Sequence, residues 1–311
     1  MSIQVLELSP IIESGEEELH RTYSVCRWPA VSDPDAWLER NGASVKAVVT
    51  GGHLGITNEM MQRLPSLGIV AIAGVGFDRV DLEMARARGV RVTNTPNVLT
   101  EDVADFALGL MIATLRRIQA GDDYIRNGRW PSGEMELARK VSGRRYGIIG
   151  LGRIGQAIAR RLQGFGGSIA YTDVKRQDVP FTFYPTLVEL AGASDILIVA
   201  AAGGPTTRNL VEKDVLAALG PSGYLINVAR GTIVDQSALI EALQQGRLAG
   251  AGLDVFADEP NVPEALLKLP NVTVTPHVAS ATVEAREQMA RLMLDNLAAF
   301  FAGKPLPTPV V

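Results

Sequence analysis

Three polar side chains in the second half of the chain stand just beyond short apolar runs, and their types suit proton transfer at a bound acid. Arg230 follows the run 224–228, in Asn227-Val228-Ala229-Arg230-Gly231. Glu259 follows Gly252-Leu253-Asp254-Val255-Phe256. His277 follows the run 272–275, in Thr275-Pro276-His277-Val278-Ala279-Ser280. A guanidinium is a rigid, permanently charged fork that matches a carboxylate. An imidazole changes protonation near neutral pH, and a neighbouring carboxylate holds the ring and favours its charged form. Singly, each has a plainer reading: a surface ion pair, a loop carboxylate, a loop histidine. Together they point to a site, because open parallel sheets bind ligands outside the carboxyl ends of their strands.

A second constellation lies earlier. In Tyr146-Gly147-Ile148-Ile149-Gly150-Leu151-Gly152-Arg153-Ile154-Gly155, an apolar run leads directly into G-x-G-x-x-G and then a helical pattern. Gly150 suits a tight turn, Gly152 a close backbone approach to pyrophosphate, and Gly155 tight helix–strand packing. The helix N-terminus then offers free N–H groups to phosphate. Asp173 closes the next run, 168–172, where a carboxylate accepts from an adenosine ribose and repels a 2′-phosphate. NAD is therefore favoured as cofactor. NADP remains the alternative, with Lys175 and Arg176 as candidate phosphate ligands.

These residues need a scaffold, and the sequence supplies one. Apolar runs at 45–50, 68–73, 90–93, 146–149, 168–172, 195–200, 224–228 and 272–275 read as strands buried on both faces. Helical patterns separate them, which means α/β with right-handed crossovers: a doubly wound parallel sheet. A long helix is predicted from Thr100, through Val103, Ala104, Ala107, Leu108, Met111 and Leu115, with Arg116 and Arg117 towards its end. It suits burial between two domains. The segment 283–303 reads as a further helix, and Pro305 and Pro307 then impose a non-helical tail.

Composition bounds the function. The 311 residues suggest about two domains. With 30 Lys and Arg against 34 Asp and Glu, a net charge of −4 argues against nucleic acid or an anionic membrane as partner. Cys26 is the single cysteine, so no internal disulfide forms and a reducing compartment is expected. The three histidines are isolated from one another, so no metal site is expected. Neither a signal peptide nor a transmembrane run is read, which suggests a cytoplasmic protein.

In order and wording, these motifs resemble the D-2-hydroxyacid dehydrogenase family, most closely its glyoxylate/hydroxypyruvate reductase branch. The resemblance spans nearly the whole chain: Ala73-Gly74-Val75-Gly76-Phe77-Asp78-Arg79-Val80-Asp81, Asn94-Thr95-Pro96-Asn97-Val98-Leu99-Thr100, the glycine fingerprint, and the three strand-end segments above. It implies a Rossmann NAD(P)-binding domain, 98–282, inserted into a smaller flavodoxin-like substrate domain, 1–97 and 283–311. The reaction implied is reduction of a small 2-oxo acid to the D-2-hydroxy acid. Arg230 would bind the substrate carboxylate, His277 would act as acid and base, and Glu259 would assist it.

A backbone anion nest at Val75 and Gly76 would be the second substrate anchor, with Gly52 on an opposite wall. Asp78 and Asp81 read as helix cap and first-turn charges. Thr100, Gly150, Gly152, Arg153, Ile154, Gly155, Asp173, Val228, Ala229, Asp254 and Ala279 would contact cofactor; Asp254 also reads as a buried strand-end cap. Asn97 stands where glycine is frequent in the family, but tolerates positive φ. Trp130 lies in an arm that reaches a second subunit in similar proteins, so a homodimer is expected. Two other readings are a D-3-phosphoglycerate or aryl-pyruvate enzyme, and a dinucleotide-sensing co-repressor-like binding protein.

Overall fold

The apolar runs assemble into two sheets whose strand pairs are all parallel in the computed structural model, which describes residues 4–311. Each sheet belongs to its own compact unit. One unit comprises the chain up to Leu99 together with Ala281–Val311; the other is Thr100–Ser280. The divisions fall two residues inside the 98–282 segment expected from sequence.

The first unit contains β1 (Gln4–Glu7), β2 (Ser24–Arg27), β3 (Val45–Gly51), β4 (Ile69–Ala73) and β5 (Arg91–Thr93), in the order β2-β1-β3-β4-β5. This is the flavodoxin-like order, with its switch point between β1 and β3. Alternate residues of the central strands feed two cores. Leu6, Val45, Val48, Val70 and Ile72 pack on one face; Val5, Ala47, Val49, Ile69 and Ala71 pack with Met293 and Leu297 on the other. Met293 and Leu297 belong to the helix Val283–Phe301, which stops two residues short of the expected 303. The tail beyond it returns to the sheet edge, where Val310 N–H donates to Val92 C=O at 2.7 Å and Thr93 and Pro309 form an antiparallel bridge.

The second unit contains β6 (Tyr146–Ile149), β7 (Ile169–Thr172), β8 (Thr182–Phe183), β9 (Ile196–Val199), β10 (Tyr224–Asn227), β11 (Gly250–Leu253) and β12 (Val272–Val274). Their order, β12-β11-β10-β9-β6-β7-β8, is the Rossmann order with one strand added beyond the sixth. The helix Thr100–Arg116 packs on the helix Arg153–Leu162 and on β10, β11 and β12. Arg161 pairs with Asp105 (2.5 Å) and Glu101 (2.7 Å) across the two helices.

Some elements differ from expectation. Arg117 does not continue the long helix: at φ +53 it breaks the chain into a second helix, Ile118–Arg126. β1, β2 and β8 are strands that the sequence reading passed over, because each is only two to four residues long and carries a polar end.

Candidate active site

The glycine loop forms between β6 and the helix Arg153–Leu162, and its three glycines answer to different constraints. Gly150 has φ +86, and a Cβ on it would lie 2.6 Å from Ala201 Cα. A Cβ on Gly155 would sit 2.1 Å from the Gly150 carbonyl oxygen. Gly152 is otherwise: a Cβ there would meet no protein atom within 4 Å. Its bareness therefore serves no packing within the chain and leaves the backbone open to an approaching group. Gly152 is also the N-cap of the helix that starts at Arg153, with Ile154 in its first turn, and no side chain caps that end. The loop thus fits a dinucleotide pyrophosphate on an observation of its own geometry.

Asp173 lies just past β7, and its carboxylate grips this loop. Oδ2 accepts from Leu151 N–H at 2.9 Å and from Gln177 Nε2 at 2.8 Å; Oδ1 accepts from Val174 N–H at 2.7 Å. Gln177 Nε2 also donates to Leu151 C=O at 2.9 Å, and Gln156 Nε2 donates to the same oxygen and to Gln177 Oε1, each at 3.1 Å. Sequence reasoning missed Gln156 and Gln177. Nothing in an isolated glutamine marks it as a loop clasp.

Beyond β10, the buried Asn227 shapes the turn that carries Val228, Ala229 and Arg230. Its Oδ1 accepts from Ala229 N–H at 3.1 Å and its Nδ2 donates to Arg230 C=O at 3.0 Å. Arg230 Nη1 donates to Ala229 C=O at 2.8 Å. A Cβ on Gly231 would lie 1.9 Å from the Phe256 carbonyl carbon, so this turn packs directly on the backbone leading to Glu259. Glu259 turns back on that segment: Oε1 accepts from Phe256 N–H at 2.9 Å, and Oε2 lies 2.7 Å from His277 Nδ1. Burial acts to raise the Glu259 carboxyl pKa, but the His277 and Phe256 hydrogen bonds and the charges of His277 and Arg230 outweigh it and hold it below the ordinary value.

His277 itself has φ +53, a left-handed conformation that a residue with Cβ adopts rarely and at a cost. Asp254 holds it there. The Asp254 carbonyl accepts from His277 N–H at 2.8 Å. Its carboxylate, fully buried, accepts from Thr275 Oγ1 (2.7 Å), Val278 N–H (2.9 Å) and Ala279 N–H (2.9 Å). Burial pushes the Asp254 carboxyl pKa up, offset only in part by these bonds and the neighbouring His277. The expected contact of Asp254 with cofactor therefore meets a carboxylate already bonded on both oxygens within the protein.

In the other unit, Gly52 follows β3 and Val75 and Gly76 follow β4. A Cβ on Gly52 would lie 2.7 Å from the Gly76 carbonyl oxygen, so the two loops touch backbone to backbone. Asp81 is the cap of the helix Leu82–Ala87, accepting from Met84 N–H at 2.9 Å, and Asp78 lies before that helix. Asn97 has φ +69. Thr100 is the first residue of its helix. Among the described residues, no group of His, Cys, Asp and Glu is disposed to hold a metal ion. No helix there is long and apolar enough to cross a membrane.

Comparison with known proteins gives this geometry a family. Residues 108–279 match the model of the D-isomer specific 2-hydroxyacid dehydrogenase NAD binding domain. Glyoxylate/hydroxypyruvate reductase A of Arabidopsis thaliana is 48% identical over 311 residues, covering 100% of this chain and 99% of the relative. Hydroxyphenylpyruvate reductase of Plectranthus scutellarioides is also 48% identical, over 312 residues and the same shares. Among solved structures, the NADPH-dependent glyoxylate/hydroxypyruvate reductase of Sinorhizobium meliloti, in complex with NADP and malonate, superposes with TM-score 0.91 at 46% identity. It covers 100% of this chain and 97% of that one. The chain belongs to the D-isomer specific 2-hydroxyacid dehydrogenase family.

Proposed function

We propose that this protein reduces a small 2-oxo acid of the glyoxylate or hydroxypyruvate type to the D-2-hydroxy acid. The unit Thr100–Ser280 is the dinucleotide domain and the other unit the substrate domain. The observation that carries the proposal is the 2.7 Å contact of His277 Nδ1 with Glu259 Oε2, on the same sheet as the glycine loop. A dinucleotide bound at that loop supplies the hydride. Gly150, Gly152, Gly155, Arg153 and Ile154 would hold its pyrophosphate, and Thr100, Val228, Ala229 and Ala279 would contact it. Asp173 favours NAD over NADP by its charge.

Arg230 clamps the substrate carboxylate and the adjacent oxo group. In the substrate unit, the N–H groups of Val75 and Gly76, with Gly52 beside them, form a backbone nest suited to a carboxylate. Because Nδ1 of His277 is engaged by Glu259, Nε2 is the atom that delivers the proton to the developing alkoxide and recovers it in reverse. Glu259 keeps the ring oriented and offsets its charge. Asp254 acts by fixing the His277 loop.

A second reading extends the substrate range to aryl-pyruvates, because the Plectranthus relative named for one is as similar as the Arabidopsis reductase. We also propose a cytoplasmic homodimer, on the single cysteine and on the exposed arm around Trp130. The test of the reaction is a nicotinamide absorbance assay with glyoxylate, hydroxypyruvate, 3-phosphohydroxypyruvate and 4-hydroxyphenylpyruvate, each with NADH and NADPH. Glyoxylate or hydroxypyruvate with NADH is expected to give the highest kcat/KM. His277→Ala is expected to lose about 10²- to 10⁴-fold in kcat with little change in NADH affinity. Absence of turnover with every 2-oxo acid overturns the proposal.

A further inference from the structure

The loop after β4 is held by two carbonyl oxygens. Gly74 C=O accepts from Thr95 N–H at 2.8 Å. Val75 C=O accepts from Asn94 Nδ2 at 2.8 Å. A peptide is planar and trans, so its C=O and the N–H of the next residue point in opposite directions. Anchoring these two carbonyls on the segment that follows β5 therefore turns the N–H groups of Val75 and Gly76 the other way, side by side. Among the described residues, neither N–H donates to another backbone group.

The anchor is itself anchored, and by the far end of the chain. Asn94 is nine-tenths buried, and its C=O accepts from Thr308 Oγ1 at 2.6 Å. Thr308 Oγ1 in turn accepts from Asn296 Nδ2 at 2.8 Å, and Thr308 N–H donates to Asn296 Oδ1 at 3.1 Å. Asn296 is fully buried on the helix Val283–Phe301, where its Nδ2 also donates to Leu292 C=O at 2.7 Å. A hydroxyl has one proton to give, and this one is committed. The bonds form a directed series: Asn296 amide to Thr308 hydroxyl, Thr308 hydroxyl to Asn94 carbonyl, Asn94 amide to Val75 carbonyl.

We propose that Asn94, Thr308 and Asn296 are positioning residues for substrate binding, through which the C-terminal tail aims the Val75 and Gly76 amides at the substrate carboxylate. The inference rests on the reading of those amides as a carboxylate anchor. None of the three side chains touches the substrate. Their work is to keep two N–H dipoles parallel before the anion arrives, which spares it the cost of ordering them. Losing one such bond lets the loop rotate and weakens anion affinity without touching proton or hydride transfer.

The test compares Thr308→Val, which keeps the shape and removes the hydroxyl, with Thr308→Ser, which keeps the hydroxyl. Steady-state kinetics with glyoxylate and NADH, and thermal unfolding, are measured on the full chain. For Thr308→Val the glyoxylate KM is expected to rise about fivefold, the equivalent of one ordinary hydrogen bond. Its kcat and NADH KM stay within about twofold of wild type, and Thr308→Ser restores the glyoxylate KM to within the same margin. A lowered unfolding temperature with unchanged glyoxylate KM overturns the inference, because a tail that only stabilises would give that result. Should Thr308→Val not fold, Asn94→Ala decides by the same measurement: its glyoxylate KM rises if the inference holds and stays put if it fails. Failure of the wild type to turn over any 2-oxo acid is a separate outcome, which removes the carboxylate reading and this inference with it.

Discussion

Glu259 is the residue on which the proposed acid–base pair depends, and its environment makes a prediction about pH. Burial alone would raise its pKa; the ring of His277, the Phe256 N–H and two nearby positive charges bring it below the ordinary value instead. A carboxyl that binds its proton less tightly when folded stabilises the fold fully above its unfolded pKa, about 4.3 for glutamate. That contribution disappears as pH falls through the lower, folded pKa. Glu259→Gln is therefore expected to be less stable than wild type at pH 7, with the gap closing in the acid range below the ordinary glutamate value. Denaturant unfolding at a series of pH values measures it, and a gap that stays constant down to the acid limit contradicts the pairing. Arg230, Glu259 and His277 were legible in the sequence because each stands beyond a strand end, where a parallel sheet exposes side chains to a ligand. The bonds from Asp254 to Thr275, Val278 and Ala279 were not, nor was the clasp of Gln156 and Gln177 on Leu151. Apart from Gln156 and Leu151, which are near neighbours in sequence, these partners are distant along the chain and meet only because crossovers return neighbouring strands to register.

At the scale of elements, the glycine loop separates two uses of one residue type. Gly150 and Gly155 are bare because protein backbone and side chain already fill the space; Gly152 is bare although its Cβ direction is open. Gly155→Ala is accordingly expected to lower the unfolding temperature, since its methyl would collide with the Gly150 carbonyl oxygen and neither backbone segment can yield cheaply. Gly152→Ala is expected to fold with near wild-type stability and to lose NADH affinity, because the only thing its methyl can meet is the bound cofactor. Thermal unfolding and fluorescence titration with NADH distinguish the two; equal destabilisation by both changes would refute this division. The motif's spacing already carried this division as an expectation; the neighbours that enforce it, such as Ala201, were not legible. The same limit explains the helix break at Arg117. Arg116 and Arg117 were placed towards the helix end by pattern alone, and the left-handed φ at Arg117, whose guanidinium pairs with Glu136, was not legible there.

At the scale of the whole molecule, length suggested two domains, and the chain does form two compact units. The first is completed only by its last thirty-odd residues, whose tail pairs with Val92 and Thr93. Binary pattern identifies strands and helices but not which piece of chain rejoins which sheet; the motif order carried that. The arm between the helix Thr100–Arg116 and β6 buries Val141 but is otherwise half-buried or exposed. No residue of the helix Ile118–Arg126 or of the turn Trp130–Ser132 is buried, and Ile125, Trp130 and Leu137 are 59%, 66% and 95% exposed. Yet the arm keeps a defined shape. Tyr124 hydroxyl donates to Gly133 C=O at 3.1 Å, the Arg129 guanidinium lies 4.9 Å from the Tyr124 ring centroid, and Arg129 N–H donates to Tyr124 C=O at 3.0 Å. The proposed homodimer would cover this ordered apolar surface, since a second copy related by a two-fold axis is the commonest way to cover one. Wild type is expected to sediment as a dimer, and the pair Ile125→Glu and Trp130→Glu to sediment as a monomer with its fold intact. A wild type that remains monomeric at every concentration, or a double variant that remains dimeric, places the interface elsewhere or removes it.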